Sequence, residues 1–80
     1  MTDQRFEALR SELAAEIRRA REAIGLSQEA LALSADVDRT YVSQLERGVA
    51  NPSLVILSRI AAALGYELTI GLRRLDRSDA

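Results

Sequence analysis

Four breaks divide this 80-residue chain into segments that each have room for one helix or one strand. They fall at Gly25, Asp36, Gly48 to Pro52, and Gly65. Before the last break, apolar residues recur every three or four positions, which is the spacing of one helix face. We therefore predict one mainly α domain over residues 1–80, built from four to five helices.

The first segment is long for so small a domain. It is predicted as a helix from Asp3 to about Ile24, with Thr2 or Asp3 as its cap and Gly25 as a left-handed stop. Its apolar face consists of Phe6, Leu9, Leu13, Ile17, Ala20 and Ile24. Because this face extends past a small core, its first half is expected to pack either on the core or across a dimer.

The second and third segments are two short helices joined by a three-residue turn, Asp36-Val37-Asp38. Ser27 and Asp38 are suitable N-caps for them. Small residues at Ala32 and Ala35 allow the two helices to approach closely. This is the helix-turn-helix arrangement, whose second helix lies in the major groove of DNA.

The fourth segment is predicted as a helix capped by Ser53, and its inward stripe consists of Leu54, Leu57, Ile60, Ala61 and Leu64. After Gly65 the period changes to two. Tyr66, Leu68, Ile70 and Leu72 alternate with Glu67, Thr69 and Gly71, which predicts a strand over residues 66–72. A lone strand leaves its backbone groups unpaired, so we expect it to pair with the same strand of a second copy. Residues 73–80 are expected to form a polar tail.

Composition excludes most chemistry. The chain has no His and no Cys, which removes imidazole and thiolate ligands and the commonest general base, so no metal, cofactor or enzymatic activity is expected. There is no apolar run that could span a bilayer and no apolar signal core, so we expect a cytoplasmic protein without a membrane partner. The net charge of −1 does not itself indicate that the chain binds nucleic acid. Whether it can do so depends on where the arginines lie.

The order and spacing of several motifs add a family resemblance. The run GLSQEALALSADVDRTYVSQLERGVANPSLVILSRIAAALG resembles the Xre/Cro/CI family of helix-turn-helix DNA-binding domains, which have the lambda-repressor-like fold. The resemblance covers residues 17–65, which we take as the DNA-binding core. The family often has glycine where this chain has Asp36, and polar residues where it has Leu33, Val55 and Ile56. The first helix extends some 14 residues upstream of the family's usual start.

The resemblance implies a role for individual side chains. Base edges would be contacted by Arg39, Thr40 and Gln44. Backbone phosphates would be contacted by Gln28, Tyr41, Ser43, Arg47, Asn51 and Ser53, with a neighbouring recognition side chain as the alternative partner of Gln28. Arg21 and Glu46 would form a structural ion pair. Arginine suits a bidentate contact to guanine and glutamine one to adenine, although the same polar residues also suit a solvated helix face.

Four functions remain open at this stage, and one of them is a helical domain that binds only other proteins and has no specific affinity for DNA. The first is a homodimeric transcriptional regulator, a repressor that binds double-stranded DNA at an inverted repeat and needs no small-molecule ligand. The run DRTYVSQLERG is also similar to the controller proteins of restriction-modification systems. The ending LGYELTIGLRR resembles that of HipB-type and HigA-type antitoxins, which would add a toxin protein as a partner, bound at residues 3–15 or at Val55–Ile56.

Overall fold

The computed structural model describes residues 4–76, and this part of the chain folds into four helices. They are α1 (Gln4–Ala23), α2 (Gln28–Ala35), α3 (Arg39–Glu46) and α4 (Leu54–Ala63). The mainly α fold is therefore confirmed. The caps proposed at Thr2 and Asp3 and the last four residues of the polar tail lie outside the described residues. Within residues 4–76, none of the helices combines the length and the apolar character needed to cross a membrane.

Serine side chains begin two of the helices. Ser27 Oγ accepts a hydrogen bond from the Ala30 amide at 3.0 Å, and Ser53 Oγ accepts one from the Ile56 amide at 3.2 Å. Each satisfies an N–H group that has no partner inside its helix. Asp38 occupies the N-cap position of α3 with an extended backbone, but its side chain makes no capping hydrogen bond. The prediction that Asp38 is the N-cap of α3 is therefore confirmed for its position, while the amides of Tyr41 and Val42 donate to its backbone carbonyl.

The turn between α2 and α3 is closed by backbone hydrogen bonds. Asp36 has a φ of +59° and a ψ of 50°, so it adopts the left-handed conformation at the end of α2. The Val37 amide then donates to the Ala32 carbonyl at 2.9 Å. Aspartate tolerates this conformation better than most residues, which explains how the turn forms without glycine.

The core lies where α2 packs against α3 and α4. Leu31, Val42, Leu45 and Ile60 are the largest fully buried side chains. Smaller residues complete the cluster, namely Ala32, Ala35 and Ala50, together with Ile17 and Leu64. Because Ala32 and Ala35 are buried at the contact, the two helices of the motif can lie close together.

Three ends of the predicted apolar faces remain outside this core. Ile24, which follows the last residue of α1, is 54% exposed. Leu54 is 61% exposed, so the inward stripe of α4 does not include it. Phe6 and Leu9 are 42% and 63% exposed, because the first half of α1 extends beyond the core. The first buried residue of α1 is Ala14, which is not part of its predicted apolar face.

The strand predicted over residues 66–72 is not formed in the described chain. No strand lies within residues 4–76, and Tyr66, Ile70 and Leu72 are exposed. The physical reason is that a strand needs a second strand to satisfy its backbone groups, and residues 4–76 provide none. Pairing across a dimer stays a prediction.

Candidate nucleic-acid interface

Helix α3 has one buried side and one polar side. Val42 and Leu45 are fully buried against the rest of the domain, together with Glu46. The opposite side consists of Arg39, Thr40, Ser43, Gln44 and Arg47, and we call these residues the recognition face. Their positions repeat at four-residue steps, from 39 to 43 to 47 and from 40 to 44, so they lie along one side of the helix. The three proposed base-contacting residues therefore share a surface with two of the proposed phosphate contacts.

The outer residues of the recognition face are the most accessible. Arg39, Thr40 and Arg47 are exposed, whereas Ser43 and Gln44 are half-buried. The two arginines give the face its positive charge, and Asp38, also exposed, lies directly before it. Such a face offers guanidinium and amide groups that can form bidentate contacts with base edges.

An ion pair connects α1 to the end of α3. Arg21 Nε donates to Glu46 Oε2 at 2.6 Å, and Arg21 Nη2 donates to Glu46 Oε1 at 2.9 Å. The two side chains are 12% and 3% exposed. Arg21 Nη1 also donates to the Leu26 carbonyl at 2.7 Å. The pair thus holds α1, the α1–α2 loop and α3 together behind the recognition face.

The contacts of the ion pair shift the pKa values of both its members. Burial on its own raises the pKa of Glu46, but hydrogen bonds from Arg21 and Gln28 and the nearby positive charges outweigh it, so this pKa lies below its ordinary value. The hydrogen bond to Glu46 raises the pKa of Arg21. Both groups are therefore charged at neutral pH, as an ion pair requires. Burial raises the pKa of Tyr41, whose protonated phenol remains a hydrogen-bond donor at neutral pH.

The side chain of Gln28 contacts the ion pair behind α3. Its Nε2 donates to Glu46 Oε1 at 3.1 Å, so its partner in the structure is a neighbouring side chain but not the recognition side chain that was predicted. That neighbour is the carboxylate of the ion pair and not a residue of the recognition face. The phosphate contact of Gln28 stays a prediction.

The loop between α3 and α4 contains two further residues that are proposed to contact phosphates. Gly48 has a φ of +73°, which suits glycine and turns the chain directly after α3. Asn51 and Ser53 follow and are exposed. The hydroxyl of Ser53 caps α4, while the amide of Asn51 accepts a hydrogen bond from Arg10 Nη1 at 3.0 Å. Pattern reasoning missed this contact, because the two residues are 41 positions apart and nothing in the local spacing relates them.

Comparison with protein families and solved structures gives a consistent result. A helix-turn-helix family model matches residues 17–70. In sequence, the chain is 49% identical over 49 residues to the control protein C.MunI of a Mycoplasma species, and 48% identical over 42 residues to the control protein C.BamHI of Bacillus amyloliquefaciens. These matches cover 61% and 52% of this chain, and 66% and 52% of the two relatives, so it spans between half and two thirds of their lengths.

A solved structure matches more completely. The restriction-modification controller protein C.AhdI from Aeromonas hydrophila superposes with a TM-score of 0.73 at 43% sequence identity. The superposition covers 75% of this chain and 91% of that one. The lambda-repressor-like fold expected from the sequence is confirmed by this match.

Proposed function

Because the chain belongs to the helix-turn-helix family of DNA-binding transcriptional regulators, we propose that it represses transcription by reading an operator with α3. The observation that carries this proposal is the recognition face. Four of its five polar residues lie on α3, and Arg47 follows directly. The other side of this helix is buried, and its end is fixed by the Arg21–Glu46 pair. A helix fixed in this way can enter the major groove without losing side-chain packing.

The proposal assigns Arg39, Thr40 and Gln44 to base edges. Arg47 and Ser43 lie on the same face and reach the phosphates on either side, together with Tyr41 and the Asn51 to Ser53 loop. Contacts to bases decide sequence, whereas contacts to phosphates fix the register of the protein on the duplex.

Arg39→Ala tests the base-reading role. In a selection of random duplex DNA, the parent protein should enrich one sequence. The Arg39→Ala variant should lose the preference at the position that Arg39 reads, where a bidentate contact discriminates between bases by ~1–3 kcal/mol. The matched control is Arg19→Ala, which removes the same charge from an exposed position on α1. An Arg39→Ala variant that selects the same sequence as the parent would refute the recognition-face assignment.

We further propose that the regulator binds as a homodimer, with residues 66–72 of two copies paired. Three apolar side chains of this segment, Tyr66, Ile70 and Leu72, are 59%, 67% and 103% exposed, and a second copy would cover them. Two recognition helices related by a twofold axis would then bind an inverted repeat with half-sites about 34 Å apart.

Ile70→Lys tests the dimer by sedimentation. The substitution should give a monomer, because it places a charge on the apolar face of the paired strand. Thr69→Lys adds the same charge on the opposite face of the predicted strand and should leave the dimer intact. If Ile70→Lys sediments as the parent dimer does, residues 66–72 do not pair between two copies.

A role as a restriction-modification controller is the second candidate, and the named relatives favour it. C.MunI and C.BamHI are control proteins, and C.AhdI is a controller of the same kind. The genes beside this one discriminate, since a methyltransferase and a nuclease would support the controller role. The antitoxin alternative stays a prediction without support from these relatives.

A further inference from the structure

The guanidinium group of Arg10 is held from three sides at the outer half of α1. Its Nη1 donates to Asn51 Oδ1 at 3.0 Å, and its Nη2 donates to Glu7 Oε1 at 2.6 Å. The guanidinium carbon also lies 5.1 Å from the centre of the Phe6 ring, within the range of a cation–π contact. Arg10 therefore reaches from α1 to the loop before α4 with little freedom to point elsewhere.

This contact determines how the Asn51 amide is oriented. A guanidinium group can only donate hydrogen bonds, so the amide oxygen must face Arg10 and the amide nitrogen must face away. Asn51 is exposed, so its two remaining N–H donors are accessible to solvent. An amide nitrogen only donates hydrogen bonds, so it suits a phosphate oxygen, and Asn51 follows the last residue of the positively charged recognition face by four positions.

The middle of α1 also packs against the backbone that leads to Asn51. Ala14 is buried, and a Cβ placed on Gly48 would lie 3.9 Å from the Ala14 Cβ and 4.0 Å from Ser11 Oγ. Helix α1 thus contacts both the beginning of the α3–α4 loop, at Gly48, and its middle, at Asn51.

We propose that Arg10 is a positioning residue for DNA binding, which holds Asn51 so that its amide nitrogen donates to a backbone phosphate. The proposal rests on the proposed function and gives the outer half of α1 a role within its own domain. Arg10 acts through Asn51 and not by its own charge, because Glu7 already neutralises the guanidinium.

The test measures affinity for the selected operator at several salt concentrations. Arg10→Met keeps the aliphatic stem but removes the donors, and Asn51→Ala removes the amide. Each should weaken binding about tenfold per half-site, the factor for one lost hydrogen bond to a charged group. The double variant should bind no more weakly than the weaker single variant, because both changes remove the same contact.

The salt dependence separates positioning from direct contact. A neutral amide releases no counterion, so the slope of log affinity against log salt should stay at the parent value in Arg10→Met. Direct phosphate binding by Arg10 would instead reduce the slope by about 0.9 per half-site.

Two control variants isolate the contact. Arg19 lies nine residues from Arg10, half a turn around α1 at ~100° per residue, so Arg19→Met should bind within about twofold of the parent. Asn51→Asp keeps an acceptor for Arg10 but has no donor, so it should melt no lower than the parent and still bind DNA more weakly.

Several outcomes would overturn the inference. The first is an Arg10→Met affinity equal to that of Arg19→Met. The second is a loss of affinity in the double variant that equals the product of the two single losses. The third is a reduced slope of log affinity against log salt in Arg10→Met. If Arg10→Met does not fold, Asn51→Asp decides, and parental affinity in that variant overturns the proposal. If the parent protein selects no sequence, the proposed function is contradicted. If the parent and Arg10→Met bind the selected operator equally well, only this inference is contradicted.

Discussion

Replacing Glu46 by Gln should destabilise the domain severely, although the two side chains have nearly the same shape. The carboxylate accepts hydrogen bonds from Arg21 Nε, Arg21 Nη2 and Gln28 Nε2. A glutamine amide has one oxygen, so its NH₂ group would face one of the Arg21 donors. One charge-assisted hydrogen bond is then lost, another is weakened, and Arg21 keeps its charge at a site where it is only 12% exposed.

The magnitude follows from these contacts. Removing one partner of a buried ion pair costs ~3–5 kcal/mol. Arg21 retains its hydrogen bond to the Leu26 carbonyl, so we expect the lower end, about 3 kcal/mol. A domain of this size has a free energy of unfolding of ~4–12 kcal/mol. A loss of 3 kcal/mol would lower its melting temperature by ~12–24 °C.

Urea and thermal unfolding at neutral pH measure this loss. The control is Glu22→Gln, which removes an exposed carboxylate 3.4 Å from Arg18 and should change the free energy of unfolding by less than ~0.5 kcal/mol. The double variant Arg21→Met/Glu46→Leu replaces both charges by apolar groups and should recover most of the stability. A loss below ~1 kcal/mol in Glu46→Gln would refute the claim that this pair holds α1 to α3.

The pH dependence provides a second measurement of the same pair. Because the pKa of Glu46 is lowered in the fold, its contribution is complete above the ordinary carboxyl pKa of ~4.3. It is lost as the pH falls through the lowered value. The difference in stability between the parent and Glu46→Gln should therefore be constant from neutral pH down to about pH 5 and shrink below about pH 4. A difference that stays constant in acid would contradict the lowered pKa.

Four further substitutions test the stability of the domain by thermal unfolding. Ser53→Ala should cost ~1 kcal/mol by removing the cap of α4, whereas Asp38→Ala should cost less, since no side-chain hydrogen bond is lost there. Ala32→Leu should cost ~1–3 kcal/mol by overpacking the contact between the motif helices, and unchanged melting would contradict the close approach. Gly48→Ala should cost ~1–2 kcal/mol through its φ of +73°, because the nearest side-chain atom leaves room for a Cβ; a much larger loss would point to a steric clash instead.

The helices and the turn were accessible from the sequence because their signals are local. Ser27 and Ser53 cap the helices that follow them, and the turn predicted at Asp36 forms with this residue in the left-handed conformation. The spacing along the fourth segment likewise identified Ile60 and Leu64 correctly as buried side chains. Each of these features depends on a few neighbouring residues, which a periodic pattern reports well.

The features that sequence reasoning missed depend on contacts between distant segments. The Arg10–Asn51 hydrogen bond is set by how α1 lies across the α3–α4 loop, which no local pattern specifies. The same is true of the burial of Ala14, which follows from the contact with Gly48. The alternation over residues 66–72 indicates a strand, but whether it forms depends on a partner that the sequence of one chain does not contain.

The central claim is that α3 reads DNA sequence through its recognition face. The most direct test selects random duplex DNA on the purified protein at two salt concentrations, with the parent and Arg39→Ala side by side. We predict an inverted repeat for the parent, weaker binding at higher salt, and lost preference at one position of each half-site in the variant. Enrichment of no sequence by the parent, or of the same sequence by both proteins, would contradict the account.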